Sequence, residues 1–205
     1  MKKDSIAYVV LFTFVACAAF IAPLALANEF TKPRVEANRL FATHSAVLRA
    51  FGIAYADPAD AEAKYASLVR PEGSGTDAPP YRATIEGIPC VAVRRTGSGL
   101  WGSITMIVAA DERGERLRGV EILDQVETPG LGGRIDEPWF KEQFRGELLG
   151  PDGLGLDQSG GSGKGDPDKE NARVDGVTGA SRTSDFVRII VNGAIAEIKA
   201  AGGAK

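Results

Sequence analysis

Apolar and polar positions divide the chain into stretches of different period. From Ile6 to Ala27 no residue is charged and Thr13 is the only clearly polar side chain. At about 1.5 Å per residue this run covers the roughly 30 Å hydrocarbon core of a bilayer, so it predicts a membrane-spanning helix. Glu29 to Gly52 continues as mostly helix, with Leu40, Val47, Leu48 and Phe51 on one face, Phe41 beside it, and Gly52 ending it. His44 shares that face, four residues from both Leu40 and Leu48. A partly buried imidazole satisfied by a neighbour is expected there rather than a proton carrier.

Asp57 to Tyr81 reads as a connection around a short helical patch, Ala59 to Leu68. The period then changes to short β-type runs at Tyr81–Ile85, Cys90–Val93, Ser103–Ala109 and Leu117–Val126. Asp111-Glu112-Arg113-Gly114 is turn chemistry, so the last two runs are expected to form an antiparallel hairpin. Glu137 to Phe144 reads as a short helix entered through Pro138, and Gly150 to Asp168 as a mobile surface loop. In the C-terminal stretch Ser184 to Ala200, Phe186, Val187, Ile190, Ala194, Ile195 and Ile198 share a face, and Thr183 or Ser184 is expected to cap the first turn. Helix, strands, helix without βαβ alternation predicts an α+β domain with helices packed on an antiparallel sheet. The expected division is an anchor over 1–28, a helical stalk and connection over 29–80, and a domain over 81–205.

Lys2 and Lys3 precede the apolar run, and the positive-inside tendency puts them in the cytoplasm and the domain on the exported, periplasmic side of the inner membrane. Ala25-Leu26-Ala27 before Asn28 also has the look of a signal-peptidase site, and Phe14 to Cys17 vaguely resembles a lipoprotein box. The uncleaved single-pass anchor is the favoured reading, and all three agree on export. With 24 basic and 27 acidic residues, net charge −3, and few aromatics, no nucleic-acid surface is expected. Cys17 sits inside the apolar run and Cys90 far outside it, which argues against a disulfide framework. One histidine and no Cys-x-x-Cys pair offer no metal ligand set, so redox chemistry would need an organic cofactor.

More than half of the 25 glycines fall between Gly130 and Gly179, and three glycine-bearing motifs are candidates for chemistry. In Asp175-Gly176-Val177-Thr178-Gly179-Ala180-Ser181-Arg182-Thr183-Ser184, hydroxyls and glycines lead into a helix N-terminus. That arrangement is either simple capping or a phosphate site on free N–H groups. In Glu127-Thr128-Pro129-Gly130-Leu131-Gly132-Gly133-Arg134, proline and glycines shape a turn that is either only structural or holds Leu131 as an apolar platform for a flat ligand. In Gly97-Ser98-Gly99-Leu100-Trp101-Gly102, Trp101 is either a core residue under the sheet or the wall of a ring-binding pocket.

Together and in this order the three motifs resemble one family: the FMN-binding domain of the C subunit of the sodium-pumping NADH:quinone oxidoreductase and its homologue, the G subunit of the Rnf electron-transport complex. The resemblance extends to the anchor and the helix after it. It implies an exported domain carrying FMN through a phosphoester to a hydroxyl of the Asp-x-x-Ser/Thr-Gly-Ala-Thr/Ser motif. A flavin transferase makes that bond from FAD with Mg²⁺. The acceptor position falls on Ser181; the family usually has Thr there, and serine offers the hydroxyl without the γ-methyl. By the same resemblance, Asp175 orients the acceptor loop or the transfer metal, Gly179 and Ala180 shape the loop, and Thr178 and Thr183 hydrogen-bond the phosphate. Glu127, Thr128, Gly130, Leu131 and Gly132 belong to the ring-contacting loop, with Leu131, Leu100 and Trp101 as apolar contacts.

The implied role is an electron carrier within an oxidoreductase and translocase, with other membrane subunits as partners and no substrate chemistry or catalytic residue of its own. Gly-Leu-Trp, Gly133, Glu137-Pro138-Trp139 and Arg173 to Gly176 favour the sodium-pump subunit, and the chain length favours the Rnf one. Two other classes compete: a stand-alone exported flavoprotein, and a cofactor-free anchored binding module whose glycine loops are only turns.

Overall fold

The computed structural model describes residues 5–72, 80–158 and 164–202. Lys2 and Lys3, positions 73–79 of the expected connection and 159–163 of the expected surface loop lie outside them. The chain divides into two compact units, Met1–Phe41 and Ala42–Lys205.

Helix α1, Ile6–Phe51, runs unbroken through both the apolar run and the amphipathic stretch, with Pro23 and Pro33 inside it. It is the one helix among the described residues long and apolar enough to cross a membrane. The first unit consists of its N-terminal part, exposed along almost its whole length.

In the second unit, α1 ends on Gly52 at φ +78°. The Gly52 N–H donates to the Arg49 carbonyl and the Ile53 N–H to that of Leu48, a Schellman closure that glycine alone enters without strain. Val47, Leu48 and Phe51 are buried as their spacing predicts, but Leu40 is 61% exposed. The buried face therefore begins at Ser45, later than expected. His44 has its neighbours: Nδ1 lies 2.8 Å from Glu62 and the ring stacks on Tyr65 at 3.8 Å. Both partners lie on α2, Pro58–Leu68, which is capped by the Asp57 carboxylate.

A five-stranded antiparallel sheet follows in chain order: β1 (Arg70–Pro71), β2 (Tyr81–Ile85), β3 (Ile88–Ser98), β4 (Ser103–Asp111) and β5 (Leu117–Asp124). The edge strand β1 escapes the sequence pattern because it is two residues long and contains proline, which sheets tolerate only at an edge. The predicted β4–β5 hairpin forms, and the Asp111 carboxylate closes its turn by accepting the N–H groups of Arg113, Glu115 and Arg116. Strand β3 extends further than its apolar run because pairing with β4 carries it to Ser98. Every residue from Ile104 to Ala110 is buried, so both faces of β4 are covered.

One face packs beneath α4, Ser181–Gly202, whose Val187, Ile190, Val191, Ala194, Ile195 and Ile198 join Val91, Val93, Ile104, Met106 and Val108 in one core. A short 3₁₀ turn, Gly132–Asp136, and α3, Pro138–Glu142, close the end near β5. The expected surface loop at 150–168 is in part structured: β6 (Gly155–Asp157) pairs in parallel with β7 (Arg173–Asp175). Leu154 is buried and Leu156 packs on the core, which is why the stretch around β6 is held down. The architecture is α+β, as expected.

Candidate functional site

The three glycine motifs occupy three loops. Gly99-Leu100-Trp101-Gly102 is the tip of the β3–β4 hairpin, closed by Gly99 N–H to the Gly102 carbonyl at 2.6 Å. Thr128-Pro129-Gly130-Leu131 is a β-turn with Leu131 N–H donating to the Thr128 carbonyl at 3.1 Å. Pro129 in second place and Gly130 in third, at φ +75°, give it the type II form. Val177-Thr178-Gly179-Ala180 is a second turn of that kind, with Ala180 N–H on the Val177 carbonyl and Gly179 at φ +80°.

One side chain ties these loops together. Glu127 is 5% exposed. Its Oε1 accepts the backbone N–H groups of Leu100 (2.7 Å) and Trp101 (3.2 Å), and its Oε2 accepts the Thr183 hydroxyl at 2.7 Å. Gly132 is there because nothing larger fits: a Cβ would stand 2.7 Å from both Glu127 Oε2 and Thr183 Oγ1. At Gly179 an added Cβ would meet Leu131 Cδ2 at 3.4 Å, so the second and third loops adjoin.

The hydroxyls divide into two sets. Ser184 is inside the first turn of α4 and not its cap, since the first α-helical bond runs from Ser184 N–H to the Ala180 carbonyl. Its Oγ accepts the Val177 N–H and donates back to the Ala180 carbonyl. Thr183 is buried and donates inward to Glu127, so its proton is not offered to a phosphate in this arrangement. Both hydroxyls predicted as caps therefore brace the turn from within. Ser181, the first helical residue, is only half-buried, and Thr178 is exposed. The first N–H groups of the helix beside them have no partner within the helix and carry the positive end of its dipole.

Leu100, Trp101, Val126 and Leu131 are all exposed, Trp101 by 71%; Leu131 adjoins the turn before the helix, and Glu127 links the Leu100 and Trp101 backbone to Thr183 in its first turn. Trp101 is thus not a core residue under the sheet. Val126 had no signal in the sequence beyond ending a β run. Gln143 was equally silent, yet it holds the strand that carries Asp175. Asp175 ends β7 beside Asp157 of β6. Burial first, then the charges of Asp166 and Asp157, pushes its carboxyl above the ordinary aspartate range. Among the described residues no group of acidic, histidine or cysteine side chains is arranged to hold a metal ion.

The model of the FMN-binding domain family matches residues 99–196, a stretch that begins at the first of these loops and ends in α4. Over that stretch the chain is similar to the FMN-binding domain family. The domain is also similar to the C subunit of the Na(+)-translocating NADH-quinone reductase of Yersinia pestis, 38% identical over 97 residues, and of Neisseria meningitidis serogroup A, 39% over 94 residues. Each match takes in 45% of this chain, but only 34% and 35% of those relatives, so the chain spans about a third of the length of the curated relatives it matches. In fold, the crystal structure of the same kind of subunit from Parabacteroides distasonis covers 83% of this chain and 96% of its own, with TM-score 0.67 and 21% identity. The corresponding protein from Shewanella oneidensis covers 80% and 99%, with TM-score 0.68 and 18% identity.

Proposed function

We propose that the protein is a membrane-anchored, FMN-carrying electron-transfer subunit of a sodium-translocating NADH:quinone reductase type of complex, with the FMN phosphate esterified to Ser181. The observation that carries the reading is the tie, through Glu127, of the hairpin tip and the first turn of α4, with a half-buried Ser181 starting that helix and exposed apolar Leu100, Trp101 and Leu131 on the adjoining loops. These residues fit the group. The N-terminal N–H groups of α4 and the Ser181 hydroxyl suit a phosphate, and Leu131, Leu100 and Trp101 suit a flat ring. FMN, when bound, supplies the redox chemistry.

The chain's own part is to bind and to position. Ser181 is the acceptor hydroxyl, Thr178 and the first N–H groups of α4 hydrogen-bond the phosphate, and Gly179 and Ala180 give the loop its turn. Thr128, Gly130, Leu131 and Gly132 form the ring-contacting edge. Asp175, whose carboxyl burial pushes above the ordinary aspartate range, lies at the entry to the acceptor loop. Helix α1 anchors the domain, and Lys2 and Lys3 favour the exported side for it. The match to the sodium-translocating reductase relatives favours that complex over the Rnf type.

The test is co-expression of the full chain with a flavin transferase, followed by intact mass and in-gel fluorescence after denaturation, for wild type, Ser181→Ala and Ser181→Thr. Flavin that survives denaturation in wild type and Ser181→Thr and vanishes in Ser181→Ala is the expected outcome. Flavin lost on denaturation in all three would sink the ester and leave a non-covalent FMN carrier. A colourless protein would leave a cofactor-free module.

A further inference from the structure

Glu127 carries a carboxylate in a buried setting where a neutral residue would be cheaper to bury, and both of its oxygens are taken by groups from outside its own loop. Its three donors come from segments far apart in the chain: two consecutive peptide N–H groups at a hairpin tip and one hydroxyl in the first turn of α4. Gly99 and Gly132 make room for it, since an added Cβ would stand 2.5 Å from Oε1 at the first and 2.7 Å from Oε2 at the second. A carboxylate accepts on two separate oxygens at once, and charge-assisted acceptance is the stronger kind.

We infer that Glu127 is a positioning residue for the flavin site: it touches no cofactor, and fixes the spacing between the Leu100–Trp101 platform and the Ser181-bearing turn. This inference rests on the proposed FMN site. The relay runs from Trp101 through the carboxylate to Thr183, two residues from the acceptor hydroxyl. Removing the carboxylate frees the hairpin tip from the helix while leaving the sheet and α4 intact, because the core beneath them is apolar and continuous.

The experiment uses the full chain in detergent micelles, as wild type, Glu127→Ala, Glu127→Gln and Thr183→Val. Hydrogen exchange is read by mass spectrometry on a peptide containing Leu100 and Trp101, and flavin content and midpoint potential are read after co-expression with the transferase. In Glu127→Ala, exchange at Leu100 and Trp101 is expected to quicken about tenfold with β3 and β4 unchanged. Thr183→Val quickens it less, although the substitution lies on another element. Flavin content falls in both. Glu127→Gln is expected to restore protection and loading, since its amide oxygen still accepts both N–H groups and Thr183 can accept from the NH₂. Unchanged exchange in Glu127→Ala overturns the inference. Faster exchange with wild-type flavin content and potential also overturns it, reducing the contact to a structural one. If Glu127→Ala does not fold, Thr183→Val carries the same test. A wild type that takes no flavin defeats the FMN reading instead, and the exchange coupling from Thr183 to the hairpin tip then decides the clasp by itself.

Discussion

Gln143 and Asp175 pair as neighbouring strands would: the Gln143 amide oxygen accepts the Asp175 N–H at 2.8 Å, and its Nε2 donates to the Asp175 carbonyl at 2.9 Å. The same oxygen also accepts the Asp166 N–H at 3.3 Å. A side chain thus supplies the ladder bonds that β7 lacks on that side. Because Gln143 is buried, Gln143→Leu leaves peptide groups unpaired away from water and is expected to destabilise the domain by about 2 kcal/mol in urea unfolding. Gln143→Glu keeps the acceptor but loses the donor and adds a charge near Asp166 and Asp175, so it is expected to be worse at neutral pH than in acid.

Asp175 gives a second pH signature. Its folded value is raised, by burial first and by Asp166 and Asp157 after it. The folded state therefore holds the proton more tightly than the unfolded chain, and stability falls as pH rises from the ordinary aspartate value through the raised one. Below the ordinary value, about pH 4, both states are protonated and the penalty is absent. Asp175→Asn is expected to raise the thermal midpoint at pH 7 and to leave it unchanged near pH 3. A gain of equal size at both values would mean that packing, and not ionisation, is responsible.

How far the chain could be read in advance follows from what each feature depends on. The hairpin β4–β5, α4 and the two Gly-centred turns are local: their periods and turn residues lie within a few positions of one another. Glu127 and Thr183 are 56 positions apart, and no period or spacing connects a buried carboxylate to the hydroxyl it accepts from. The reach of β3 to Ser98 depends on its partner β4, and the burial of α1 only from Ser45 depends on where the rest of the domain covers it. Trp101 was undecided because a tryptophan before a strand fits a core as well as a wall; its exposure decides between them. β6 and β7 are three residues each and pair in parallel across an intervening segment, which is too short for alternation to show.

That exposure of Trp101 makes a direct comparison possible. Trp101→Ala removes little buried surface, so its unfolding midpoint is expected to stay within about 0.5 kcal/mol of wild type. Phe140, which is 1% exposed in the core and stacked edge-on against Phe144 at 5.4 Å, is expected to cost about 3 to 5 kcal/mol as Phe140→Ala. Similar losses at the two positions would show that Trp101 is packed in solution. A neutral Trp101→Ala with reduced flavin content is the pattern of a residue kept for a ligand.

Gly179 tests the turn on which the proposed acceptor depends. Its φ of +80° is the value a type II turn requires at the third position, and the turn sets where Ser181 begins α4. An added Cβ meets only Leu131 Cδ2, at an ordinary 3.4 Å, so the penalty of substitution is backbone strain and not a clash. L-residues other than asparagine and aspartate enter this region at about 1 to 2 kcal/mol. Stability in urea is therefore expected to fall in the order Gly, Asn, Ala, Val at position 179, the last because a β-branched side chain is the least tolerant of positive φ. Flavin content should follow that order if the turn positions the Ser181 hydroxyl. Were Gly179→Ala as stable as wild type, the turn would have relaxed out of its left-handed form; flavin retained in that variant would then separate the ester from the turn geometry altogether.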